Sequence, residues 1–171
     1  MGAAYKQASL VHFSSKVTCG LANFGIANWI TFLENTADRR RDQRRLEYGD
    51  ERLADVRAFL ERISPLNNAE KIAVPLSIAH GEEDSRVPVS ETLQLWDIAS
   101  KKVYMELMVC ELEGHGAWRS FPFDIRGMHG KTKLLLFLGF KQKSVIEFTN
   151  AAKIHFLERF LVPNANPSSN L

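Results

Sequence analysis

The chain has 171 residues, 22 basic against 20 acidic side chains for a net charge of +2, and 45% hydrophobic residues. This length and balance suit one soluble globular domain with a substantial core. Near-neutral charge gives no reason to expect a nucleic acid or a membrane surface as partner, and no apolar run approaches the roughly 20 residues of a membrane span.

In chain order, residues 2–13 read as a short helix, with small residues first and Leu10, Val11 and Phe13 later. Val17 to Phe24 is a short apolar run suited to a buried strand. Asn28 to Thr36 carries Trp29, Ile30, Phe32 and Leu33 and reads as a helical or lid-like segment. Arg39 to Tyr48 is polar and helix-prone. Its basic cluster, Arg39, Arg40, Arg41, Arg44 and Arg45, is interleaved with Asp38, Asp42 and Glu47. That spacing makes a solvated face laced with ion pairs, not a phosphate patch. Asp50 to Ile63 is an amphipathic helix on Leu53, Val56, Phe59, Leu60 and Ile63. Ser64-Pro65 ends it, because the residue before proline is pushed out of the helical region.

Ile72 to Ala79 alternates Val74, Leu76 and Ile78 and predicts a strand, followed by the polar loop His80 to Asp84. Ser90 predicts an N-cap for a helix running to Ser100. Tyr104 to Leu112 is a further strand, and Glu113-Gly114-His115-Gly116 is the loop after it. Glu147 to Leu161 is a closing amphipathic helix. Residues 163–171 form a Pro/Asn/Ser tail expected to be disordered. Alternating strands and helices with polar loops after the strands predict an α/β fold with a mostly parallel sheet flanked by helices.

The two cysteines, Cys19 and Cys110, sit in apolar runs and read as buried free thiols, which fits a reducing compartment such as the cytoplasm. Met1 to Ser9 lacks the basic and apolar regions of a signal peptide, which says nothing about the start of a longer parent. His12 and His155 fall on helices, His80 ends a strand and His129 lies in an irregular stretch. No set has metal-ligand spacing, so neither a metal nor another cofactor is expected.

Chemistry in parallel α/β sheets gathers at the carboxyl ends of the strands. Here those ends carry Asp84 and His115, separated by one helix and one strand. Taken singly, Asp84 also reads as a cap or surface charge, and His115 as a turn residue. Together they have the order of the acid and base of a Ser-Asp-His hydrolase, in which the base takes the hydroxyl proton and the acid holds the base's tautomer. Gly114 and Gly116 are expected to let the loop of His115 turn tightly.

Several blocks carry a more specific likeness. They are Thr31 to Thr36, Leu46-Glu47-Tyr48-Gly49-Asp50-Glu51-Arg52, Ile63-Ser64-Pro65-Leu66, His80 to Glu91 with its Arg86-Val87-Pro88, and Glu113 to Gly116. In this order they resemble the catalytic domain of the prolyl oligopeptidase family, closest to its dipeptidyl-peptidase and acylaminoacyl-peptidase branch. The resemblance covers residues 2–116 and 140–162. It implies the C-terminal portion of an α/β-hydrolase fold in a serine peptidase acting on peptides, with Asp84 as triad acid and His115 as triad base.

Two departures matter. The family's nucleophile elbow, Gly-x-Ser-x-Gly-Gly, should precede Ala8-Ser9-Leu10. Counting back without gaps sets Gly2 and Ala3 on its last two glycines. The serine is then expected just upstream of Met1, and the domain of residues 1–162 is expected to be partial and inactive alone. Second, residues 117–139 stand as an atypical insert before Phe140-Lys141-Gln142-Lys143 resumes the likeness. The end of the insert, Leu136-Phe137-Leu138-Gly139, can be encoded by a pyrimidine run ending in TTAG, so a retained intron is the expectation, with a genuine lid as the rival. An alternative for the whole chain is a non-catalytic binding or regulatory module, associating with an intact relative. Another hydrolase type, such as an esterase, is disfavoured by the run Leu46 to Arg52.

Overall fold

The computed structural model describes residues 2–110, 113–115, 132–136 and 143–162, with side chains from 7–110, 113–115 and 149–162. Helix α1 spans Gly2–His12 and strand β1 Gly20–Asn23. Helices α2 (Trp29–Asn35), α3 (Asp38–Tyr48) and α4 (Ala54–Ile63) follow, then a 3₁₀ segment, Pro65–Lys71. Strand β2 is Leu76–Gly81, helix α5 Val89–Ala99, strand β3 Met105–Cys110, strand β4 Thr132–Leu136 and helix α6 Lys143–Leu161.

The four strands form one sheet in sequential order, β1-β2-β3-β4, every pair parallel. Because strand side chains alternate, Ala22, Ile78 and Leu107, aligned by register, share one face. That face packs Leu10 and Val11 of α1, Leu95 and Ala99 of α5, and Ala69 and Ile72. The alternate residues Ser77, Ala79, Met108 and Cys110 are also buried. Helix α6 lies against β2 and stacks Phe156 and Phe160 on Tyr104. Continuous burial along β2 is what a parallel strand covered on both faces requires. Among the described residues, no helix is long and apolar enough to cross a membrane.

Helix α1 runs antiparallel to β1. Leu10 sits so close to Gly20, at the strand's start, that a Cβ there would lie 2.8 Å from its side chain. Gln7, one turn earlier, meets Gly25 just beyond the strand's end, with only 2.2 Å to such a Cβ. The first turn of α1 therefore lies toward the carboxyl edge of the sheet.

A second core joins α2 and α4 near that edge: Ile26, Ile30, Phe32, Leu33, Leu60 and Val87, with Trp29 and Tyr48 packed on it. Asn28 caps α2 through its side chain. The basic face of α3 is paired as its spacing predicts, Arg41 with Asp38 and Arg44 with Glu47. Arg45 also chelates the buried Glu51, which ties α3 to the turn before α4.

Three local expectations change. Ser90 is not the N-cap of α5. Pro88 holds that position, two residues earlier, and Ser90 lies inside the first turn. Cys110 is buried, but Cys19 is only half-buried; both are free. Within the segment read as an atypical insert, residues 132–136 form β4 and pair with β3, so this part is sheet. The run Lys133 to Leu136 gives one lysine and then three leucines, an apolar strand without alternation. The remainder of 117–139, with Gly116 and His129, lies outside the described residues, as does the tail 163–171.

Candidate active site

Strand β2 ends at Gly81, and the chain turns through Asp84 to Val87 before α5. Asp84 Oδ1 accepts from the backbone N–H of Arg86 (2.8 Å) and of Val87 (3.0 Å), an Asx-type turn closed by its own amides. Its Oδ2 receives His115 Nδ1 at 2.7 Å and lies 3.6 Å from His80 Nε2. The carboxylate is buried. Burial alone would raise its pKa. The hydrogen bonds from His115, His80 and the two amides outweigh burial and hold it well below the usual aspartate range.

An ionised Asp84 only accepts, so Nδ1 of His115 carries the proton and a neutral ring keeps its lone pair on Nε2. Among the described residues, no hydrogen bond reaches that Nε2, and the side chain is 26% exposed. The pair is thus an imidazole with one nitrogen held by a carboxylate and, among the described residues, the other unbonded.

Several contacts fix the two loops. Glu82 N donates to Cys110 O (2.9 Å) and Glu83 N to Glu113 O (3.0 Å). Gly81 makes this approach possible, since a Cβ there would lie 2.3 Å from Glu113 O and 2.9 Å from Gly114 O. At Gly114, by contrast, the nearest atom a Cβ would meet among the described residues is Glu83 O at 3.8 Å, an ordinary contact, and φ is not left-handed. The glycine that the site demands is the one ending β2. Phe24, just after β1, adopts φ 51° and sets its ring 4.8 Å from the His115 ring and 5.6 Å from His80, centroid to centroid. A bulky residue at positive φ is an outlier of the kind that collects at functional sites.

The candidate acid and base are therefore brought together at the carboxyl edge of adjacent strands. His80, Thr92 and Glu91 were not marked by the sequence. His80 is fully buried, with Nδ1 2.6 Å from Thr92 Oγ1 and Nε2 2.9 Å from Val87 O. Glu91, also buried, accepts from the N–H of Ala27 (3.2 Å) and Asn28 (2.8 Å) and from Thr31 Oγ1 (2.5 Å). It fastens α5 to the start of α2. The available signal was a charged residue and a histidine set in otherwise apolar positions.

Residues 2–127 match the model of the prolyl oligopeptidase family. The chain belongs to the prolyl oligopeptidase family. Among solved structures it is similar to a Mycobacterium tuberculosis puromycin-hydrolyzing peptidase, with TM-score 0.68 and 20% identity over 91% of this chain and 20% of that one. It is also similar to a Pyrococcus horikoshii acylaminoacyl peptidase, with TM-score 0.69 and 18% identity over 99% of this chain and 24% of that one. An acylaminoacyl peptidase in complex with Z-Gly-Gly-Phe-chloromethyl ketone matches with TM-score 0.62 and 20% identity, over 94% and 22%. No curated protein matches the chain in sequence. The fold is that of part of an α/β-hydrolase, and this member of the family spans between a fifth and a quarter of the length of these solved chains.

Proposed function

We propose that Asp84 and His115 are the acid and base of a serine-type peptidase site acting on short peptides, and that the serine they activate precedes Gly2. One observation carries this reading: His115 Nδ1 is bonded to a buried, ionised Asp84 while, among the described residues, nothing bonds its Nε2 at the carboxyl edge of the sheet. The direction of α1 supports the place of the serine. Its first turn lies at that same edge, where a strand-to-helix elbow would present a hydroxyl to Nε2.

In the proposed reaction the serine oxygen attacks the peptide carbonyl carbon as its proton passes to His115 Nε2. The C–N bond then breaks, and His115 returns the proton to the leaving amine. Water repeats the sequence on the acyl-enzyme, and its proton passes through His115 to the released serine. Asp84 stays ionised throughout and stabilises the imidazolium.

The test is labelling by a fluorophosphonate probe and hydrolysis of aminoacyl reporter substrates. The chain as it stands should give neither. Extended at its N-terminus by a relative's strands and Gly-x-Ser elbow ahead of Gly2, it should give both, and Asp84→Asn in the extended form should lower kcat by about 10⁴-fold. Stoichiometric labelling of the unextended chain at Ser9, Ser14, Ser15 or Ser90 would sink the proposal.

A further inference from the structure

The turn that carries Asp84 is held from outside as well as inside. Its amides point inward to the carboxylate, and its carbonyls point outward, each to a different donor. Ser85 O accepts from Ala37 N (3.3 Å), Arg86 O from Thr36 Oγ1 (2.9 Å) and Val87 O from His80 Nε2 (2.9 Å). The last of these bonds is the most enclosed. His80 is fully buried at the end of β2, and its other nitrogen meets Thr92 Oγ1 on α5 at 2.6 Å.

A carbonyl oxygen can only accept, so Nε2 of His80 carries its proton. The lone pair on Nδ1 then receives the hydroxyl proton of Thr92. The relay runs in one sense: Thr92 O–H to His80 Nδ1, and His80 Nε2–H to Val87 O, with Asp84 Oδ2 a further 3.6 Å acceptor on the same side. Val87 donates its own N–H to Asp84 Oδ1, so His80 grips the peptide unit that directly follows the one orienting the carboxylate.

We infer that His80, its tautomer set by Val87 O and its ring held by the Thr92 hydroxyl, is a positioning residue that aims Asp84 at His115. This rests on the proposed roles of Asp84 and His115. His80 touches no reacting atom; it acts through the turn. Loss of the relay frees Val87 O, lets the turn rotate and weakens the 2.7 Å bond that keeps the proton on Nδ1 of His115. The wrong tautomer would offer the nucleophilic serine hydroxyl no lone pair.

The experiment reads the tautomer of His115 in the folded chain, from side-chain ¹⁵N shifts and the low-field Nδ1 proton. The wild-type chain should hold the Nδ1–H form, and Asp84→Asn should lose it. Thr92→Val, nearly isosteric, should lower the ratio of Nδ1–H to Nε2–H forms at least twofold and broaden the low-field proton, whereas Thr92→Ser should preserve both. His80→Gln keeps a donor for Val87 O but has no ring nitrogen at the Nδ1 position to accept from Thr92, so it should fall between, and it decides the matter if Thr92→Val does not fold. A Thr92→Val chain that loses stability while keeping the wild-type ratio would make the relay merely structural and overturn the inference. If Asp84→Asn itself leaves the ratio unchanged, the acid–base reading fails first, a result distinguishable from failure of the relay alone.

Discussion

Gly81→Ala is the sharpest test of how the site is built. The added Cβ would stand 2.3 Å from Glu113 O and 2.9 Å from Gly114 O, both backbone atoms of the loop leading to His115. Ordinary contact begins near 3.4 Å, so the loop must retreat by about 1 Å. A retreat of that size would stretch Glu83 N to Glu113 O, now 3.0 Å, and His115 Nδ1 to Asp84 Oδ2, now 2.7 Å, beyond hydrogen-bond length. Overpacking costs about 1–3 kcal/mol, and a lost backbone bond adds about 1 kcal/mol. The reduced freedom of the unfolded chain returns about 0.4–1 kcal/mol. The net expectation is a loss of about 1–3 kcal/mol in urea unfolding, with the His115 low-field proton gone. Gly114→Ala is the control: among the described residues the nearest atom to its added Cβ is 3.8 Å away, and it should be neutral or slightly stabilising. The reasoning fails if Gly81→Ala keeps both stability and the proton signal, or if Gly114→Ala is equally damaging.

Two further predictions concern buried carboxylates. Glu91→Ala should cost about 2–6 kcal/mol, since Ala27 N and Asn28 N would be left as unsatisfied donors at about 1–3 kcal/mol each; Glu91→Gln should cost far less, and equal losses in urea unfolding would count against this account. For Asp84, the folded pKa is depressed, so its contribution to stability is full above the unfolded value of about 3.9 and declines as pH falls through and below it. The difference in unfolding free energy between the chain and Asp84→Asn should therefore shrink below about pH 4, and a difference constant from neutral pH to about pH 3 would refute the ionised, hydrogen-bonded carboxylate.

Much of this architecture was legible because burial leaves a period in the sequence. Leu60 and Ile63 repeat at helical spacing, and their helix formed as Ala54–Ile63. Leu76 and Ile78 alternate, and they entered the core as β2. The order of Asp84 and His115 after successive strands was equally readable, and the structure joins them. Less legible was whatever depends on close approach or on polar groups facing inward. Gly81 looks like any turn glycine until the neighbouring loop is folded against it. His80 and Glu91 resemble surface residues in sequence, because nothing local reveals that Thr92 and the amides of Ala27 and Asn28 will satisfy them. Gly114 drew attention by standing beside His115, yet it has room for a side chain. The strand at 132–136 escaped notice because a run of leucines without alternation suits helix and buried strand alike.

The sequential order of the strands has a kinetic consequence. Asp84 and His115 lie 31 residues apart, at the ends of β2 and β3 and on either side of α5. Bringing Gly20 onto Leu76 encloses about twice as much chain as bringing Leu76 onto Met105, a difference of about 0.6 kcal/mol in closure entropy. The β2-α5-β3 unit is therefore the more local one and should zip first, with β1 and α1 added to an edge already formed. Partial opening follows the reverse path, releasing the α1–β1 side while the Asp84–His115 bond persists as part of one cooperative unit. The Asp84–His115 pair is thus kinetically separable from the α1–β1 side, ahead of which the proposed hydroxyl would stand.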